Sequence, residues 1–205
     1  KWVAYANHRC ELMLLNLEKN ELIKIDRNQY GLMCSASWSA DSRWIAYSID
    51  DTRLTSRIMI YDVENATSHA VTVPVKWDCE PSFDPEGKYL FFLSSRTFTP
   101  MGDSIQYNIT FQKSWKPYLI TLQKDTRSPF LPEAKALETK PAEPSKDDKT
   151  GKKKEAKPVI KPVEIDFEGI SDRIVEIPLE GENMGGLQAV KGKLFYYKYD
   201  PSQGW

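Results

Sequence analysis

The chain holds three cysteines and two histidines. These residue types most readily supply a nucleophile, a general base or a metal ligand. Cys34 lies four residues before Trp38, and Cys79 four before Phe83. The shared spacing puts both thiols at the same point of a repeat, near an innermost strand. They read either as a thiol pair facing a central channel or as small buried residues at a repeat-equivalent site. No Cys-x-x-Cys spacing occurs, and His8 and His69 sit in polar, turn-like contexts, so neither zinc binding nor a histidine base is supported. The odd cysteine count leans towards a reducing compartment. Ser94-Ser95-Arg96 leads into a long stretch, 97–115, before the next apolar run. A loop of that length is often functional. The fork of Arg96 suits a peptide carboxylate, and it suits tying down the loop equally well. A Gly-x-Ser-x-Gly elbow, a phosphate-binding loop, a His-Glu-x-x-His pair and a dinucleotide fingerprint are all absent. No catalytic residue is assigned, and no cofactor or metal is expected.

The elements that must position these residues come from one recurring phrase. Lys1-Trp2-Val3-Ala4-Tyr5, Arg43-Trp44-Ile45-Ala46-Tyr47, Lys88-Tyr89-Leu90-Phe91-Phe92 and Lys193-Leu194-Phe195-Tyr196-Tyr197 are versions of one strand. The first three are spaced by about 40–45 residues, the period of a β-propeller blade and of WD40-like repeats. Around Arg43 the unit reads as an inner strand ending at Ser37-Trp38, then strands at 43–48, 57–63 and 70–73. The next unit repeats it with Pro81-Ser82-Phe83, then 88–94 and 116–122. Asp84-Pro85-Glu86-Gly87 is a turn because Pro85 presets φ, Asp84 can bond back to the backbone and Gly87 tolerates a positive φ. Before and after these units, 11–17, 21–25, 185–190 and 192–199 read as further strands. The chain opens on the second strand of a blade and stops inside another. We therefore expect an all-β segment of a larger propeller whose blades have about four antiparallel strands each. The repeat also predicts that Trp38 and Phe83 are both buried between blades.

Composition bounds the partners. The formal net charge is −1, which gives no electrostatic case for nucleic acid or an anionic membrane. No apolar run approaches a membrane span. Residues 133–163 break the strand pattern. They hold Pro141, Pro144, Pro158 and Pro162 among lysines and acids, without an aromatic residue. Such a stretch cannot bury enough apolar surface to offset its ordering entropy. The expected organisation is therefore blades over 1–132, a flexible insertion over 133–163, and strands of the same domain over 164–205.

Pro81 to Arg96, followed by Lys116-Pro117-Tyr118-Leu119-Ile120, resembles the propeller region of tricorn-type proteases. After the insertion, Ile165-Asp166-Phe167-Glu168-Gly169-Ile170 and Gly192 to Tyr197 resemble the end of the second, seven-bladed propeller of that family. The blade phrase alone is also similar to periplasmic translocation-associated and prolyl oligopeptidase propellers. The tricorn resemblance implies a serine peptidase acting on oligopeptides, with PDZ-like and catalytic domains elsewhere in a parent chain and a possible homo-oligomer. This segment would gate and guide oligopeptide substrates, its channel lined by Cys34, Ser35, Cys79 and Glu80, with Arg96 as a further contact. A cytoplasmic location is implied, a periplasmic one being the alternative. Two other readings remain at this level: a non-catalytic binding scaffold, and the propeller lid of a prolyl oligopeptidase-type hydrolase.

Overall fold

The structure, a computed structural model, describes residues 1–33, 35–97, 100–102, 109–111, 113–131 and 161–200. Strands β1 (Trp2–Ala6), β2 (Glu11–Asn16) and β3 (Glu21–Arg27) form an antiparallel sheet. In β2 alternate residues, Leu12 and Leu14 among them, are buried, the period of a strand with one face in a core. Strands β4 (Ala36–Trp38), β5 (Trp44–Thr52), β6 (Thr55–Asp62) and β7 (Thr67–Ala70) follow as a four-stranded sheet in chain order. A third sheet opens with β8 (Asp78–Phe83) and β9 (Tyr89–Ser94). A small hairpin, β10 (Met101–Gly102) and β11 (Ile109–Thr110), stands in the long loop after it. The sheet is completed by β12 (Lys116–Thr121) and β13 (Ile174–Glu176), so residues 122–173 connect its third and fourth strands. Strands β14 (Met184–Val190) and β15 (Lys193–Lys198) pair last.

The sequence places most of these strands within a residue or two, but the hairpin of β10 and β11 and strand β13 carry no pattern that predicts them, β5 runs to 52 rather than 48, and β7 lies at 67–70 rather than 70–73. Val71 and Thr72 are buried, and the Val71 amide bonds to the Ile58 carbonyl, but they follow the ladder rather than extend it. Apolar packing at the strand's end supplied the signal there, not pairing.

The cores lie between sheets. Leu12 and Leu14 meet Ile45, Tyr47 and Tyr61 between the first and second blades. Trp44, Ile58 and Ile60 meet Phe83, Leu90 and Phe92 between the second and third. Leu93 meets Met184 and Leu187 between the third and fourth. This is propeller packing, in which each sheet is buried on both faces by its neighbours. The Asp84 turn forms as expected: the Gly87 amide bonds to the Asp84 carbonyl at 2.9 Å, and Gly87 has φ +71°.

Residue 163, assigned by composition to the end of the insertion, is part of the core. Val163 is 2% exposed. Its amide bonds to Asp41 Oδ2 at 2.6 Å and its carbonyl accepts from Trp44 Nε1 at 2.8 Å. Its methyl groups lie over Gly87, where a Cβ would sit 2.8 Å from Cγ2. Phe167 then stacks on His69 with ring centroids 3.9 Å apart. Residues 161–169 thus strap the third blade's connection across the second blade. The rest of the expected insertion, 133–160, lies outside the described residues.

Phe83 is buried as its repeat position predicts, but Trp38 is only half-buried, since it borders open concavities on two sides. Phe83→Ala is expected to cost about 3–5 kcal/mol. Trp38→Ala, with solvent already on part of the ring, should cost about 1–2 kcal/mol. Equilibrium denaturation of the two variants checks the order, and an equal loss at both sites would refute it.

Candidate substrate-channel wall

The innermost strand of each blade is an edge strand, and edge strands leave a row of backbone groups unpaired. Here β4, β8 and β14 bring three such edges side by side around an open concavity of about 920 Å³. Side chains of one blade satisfy amides of the next. Ser35 Oγ accepts from the Glu80 amide at 3.1 Å and Ser37 Oγ from the Phe83 amide at 3.3 Å. Ser82 Oγ accepts from the Ala189 amide at 2.9 Å, and Glu80 Oε2 from the Leu187 amide at 2.8 Å. Buried or half-buried amides need such partners.

The register explains the geometry. Strand β8 carries a bulge between Cys79 and Ser82, and β14 carries one between Gly185 and Gln188. At the bulges Glu80 has φ 50° and Gly186 has φ 67°, so one left-handed residue turns each inner strand at the same point. Glycine is required at 186 for a second reason, because a Cβ would stand 2.5 Å from the Tyr197 ring. The spacing that aligns Cys79 with Phe83 therefore extends to Gly185 and Ala189.

Of the residues singled out from sequence, Ser35, Cys79 and Glu80 line this concavity together. Cys34 lies outside the described residues. Arg96 lies elsewhere. Its Nη2 donates to Asp78 Oδ2 at 2.6 Å, its Nε donates to Ser94 Oγ at 3.0 Å, and Ser94 Oγ donates to Asp78 Oδ1 at 2.6 Å. The guanidinium rests over the Phe92 and Tyr118 rings, 5.4 Å from each centroid. Of the two roles open to Arg96, the geometry is that of a structural tie. Ser37, Ser82 and Gln188 also line the wall and were not picked out, although Ser37 and Ser82 share a repeat position directly before Trp38 and Phe83. Among the described residues no cluster of three His, Cys, Asp or Glu side chains could hold a metal ion. No described helix is long and apolar enough to cross a membrane.

Beside Arg96, the Tyr118 hydroxyl donates to Thr97 Oγ1 at 2.6 Å and lies 3.1 Å from Glu176 Oε2. Burial, joined by the Glu176 charge, pushes the Tyr118 phenol up to about 12. In the unfolded chain it ionises near pH 10. Between those values the unfolded state releases the proton first, so the stabilisation is complete below about pH 10 and is lost as pH rises towards 12. Stability measured against pH should fall less steeply in Tyr118→Phe over that window. Parallel curves would show that Tyr118 does not contribute.

An all-β chain of antiparallel sheets, two of them four-stranded, packed face to face around inner edge strands, is a β-propeller segment. More narrowly, it belongs to the family of tricorn protease second β-propeller domains, whose model matches residues 1–204. The tricorn protease homolog of Saccharolobus solfataricus is 30% identical over 203 residues, covering 97% of this chain and 17% of that protein. Tricorn protease homolog 1 of Streptomyces coelicolor is 31% identical over 198 residues, covering 96% of this chain and 18% of that one. The crystal structure of the tricorn protease superposes with a TM-score of 0.75 at 24% identity, over 97% of this chain and 18% of that chain, a likeness of fold. The chain thus spans about a fifth of the length of these relatives.

Proposed function

We propose that this segment forms part of the wall of a peptide-conducting propeller in a tricorn-like serine peptidase, gating and guiding oligopeptides towards a catalytic domain outside this chain. The observation that carries the reading is the inner-strand concavity, whose lining is mostly small or neutral residues on three successive strand edges. Neighbouring blades hold the amides of Glu80, Phe83, Leu187 and Ala189, so an extended chain of any sequence would donate its own amides to carbonyl oxygens of these edges. A bore of limited width admits an unfolded peptide and excludes a folded domain. The working partners are oligopeptide substrates and the PDZ-like and peptidase domains of the parent chain, in a cytoplasmic homo-oligomer. The family match along residues 1–204 favours this over a prolyl oligopeptidase-type lid.

The test narrows the bore. Gln188 is exposed on the wall. In the full-length protein, Gln188→Trp should lower kcat/KM for long peptides more than for very short ones. A free-standing scaffold role predicts equal turnover of both in variant and parent, and that result would refute the conducting wall.

A further inference from the structure

The wall has one charge. Among the described residues lining the concavity, Glu80 is the one acidic or basic side chain. The others are serines, alanines, prolines, Cys79, Gln188 and apolar side chains. Three observations set Glu80 apart from an incidental surface acid.

The first is its backbone. Glu80 has φ 50° although it is not glycine, and it precedes Pro81. The left-handed region is costly for a residue with a Cβ, and the α regions are disfavoured before proline. At the equivalent bulge of the next blade the left-handed residue is Gly186. Glycine would relieve the strain at 80, so the bulge alone does not call for glutamate. Strained non-glycine positions of this kind concentrate at functional sites.

The second is how the carboxylate is held. Oε2 accepts the Leu187 amide of the next blade at 2.8 Å. Among the described residues Oε1 accepts no hydrogen bond, and it lies on the Gly185 side, 3.4 Å from where a Cβ would stand. One oxygen is anchored and the other is available to a guest. The third is the neighbourhood: among the described residues no lysine or arginine lines the concavity beside the carboxylate.

We infer that Glu80 makes the wall selective by charge, favouring peptides that carry a free N-terminal ammonium or a basic side chain over neutral or acidic ones. This rests on the conducting-wall reading above. A fixed carboxylate beside apolar walls attracts cations over several ångströms and raises their local concentration, while the small neutral lining leaves sequence otherwise unread. The ammonium or guanidinium donates to Oε1 while Oε2 keeps its bond to the Leu187 amide.

The test uses the full-length protein and matched peptides that differ only in charge away from the scissile bond, one with a free and one with an acetylated N-terminus, and one with Lys in place of Gln. The readout is the ratio of kcat/KM within each pair. We expect Glu80→Gln, which keeps an acceptor for the Leu187 amide, to lower the cationic preference by roughly three- to five-fold, the scale of a partly exposed ion pair. Gln188→Lys, which sets a positive charge on the same wall, should lower it too. About 1 M salt, where the screening length is about 3 Å, should compress the parent ratio. Glu80→Gly, compatible with the left-handed backbone, should fold and lose the preference. Ratios unchanged in Glu80→Gln and Gln188→Lys would overturn the charge selectivity. If Gln188→Trp also leaves long-peptide turnover intact, the conducting wall itself fails. If Gln188→Trp slows long peptides while the ratios stay constant, only the charge inference fails.

Discussion

Asp78→Ala is expected to lower the stability of the propeller by about 3–5 kcal/mol, the cost of removing one partner of a buried ion pair. Asp78 is fully buried. Its carboxylate holds Arg96 and Ser94, and its backbone is equally engaged. The Asp78 carbonyl accepts from Ser48 Oγ at 2.7 Å and Ser56 Oγ at 2.8 Å, and its amide donates to Ser56 Oγ at 2.7 Å. Ser48 and Ser56 belong to β5 and β6, so this residue joins the second blade to the third. Without the carboxylate, Arg96 keeps a charge whose side chain is 17% exposed and has no comparable partner. The Asp78→Ala and Arg96→Ala double variant should lose less than the sum of the single losses, because the second change removes the orphaned charge. Equilibrium denaturation of the four proteins measures the coupling. A loss below about 1 kcal/mol for Asp78→Ala would show that water reaches Arg96 and that the pair is not a tie.

This node shows what the sequence makes visible and what it hides. Strands with aromatic and β-branched phrases, such as β5 and β9, are legible because burial on both faces demands those residues. The phrase also fixes their period. Asp78 went unnoticed because a lone acid before Cys79 looks like a loop residue. Its signal lies in the pairing, and the bulge hides it: counting back along β8 from Phe83, opposite Leu90, sets Asp78 against Ser95, and the one extra residue of the bulge at Glu80 and Pro81 moves it opposite Ser94. Strand β7, with polar Thr67-Ser68-His69, carries too little apolar pattern to locate well. Of the wall, Ser35, Cys79 and Glu80 followed from the repeat alignment. Arg96 did not, because a guanidinium that could serve a ligand and one that serves a fold look alike in sequence. The difference is its partner, found in a strand eighteen residues earlier in the chain.

The least legible element is the strap, and it leads to the second large effect. Val163 stands between Pro162 and Glu164 in a lysine- and proline-rich context, so local composition assigns it to the insertion. Its partners, Trp44 and Gly87, are far away in the chain, and no local pattern reports a contact of that range. Trp44 is 4% exposed. Its indole donates to the Val163 carbonyl, meets the Phe167 ring edge-on at 5.6 Å, and carries Arg43 over its face at 4.6 Å. Trp44→Ala is therefore expected to cost about 3–5 kcal/mol, the range for a buried aromatic. Trp44→Phe keeps most of the packing but orphans the Val163 carbonyl, a loss of about 1–3 kcal/mol. The same contacts set a boundary for deletion. Replacing 133–160 with a Gly/Ser linker should leave the melting temperature within a few degrees, since composition gives that stretch too little apolar surface to offset its ordering. Extending the deletion through 163 removes a buried side chain and both bonds that seat it, and the melting temperature should fall by about 2–4 °C for each kcal/mol lost, the scale for a domain of about 150–250 residues. Equal melting temperatures for the two deletions would mean that the strap does not hold the second and third blades together.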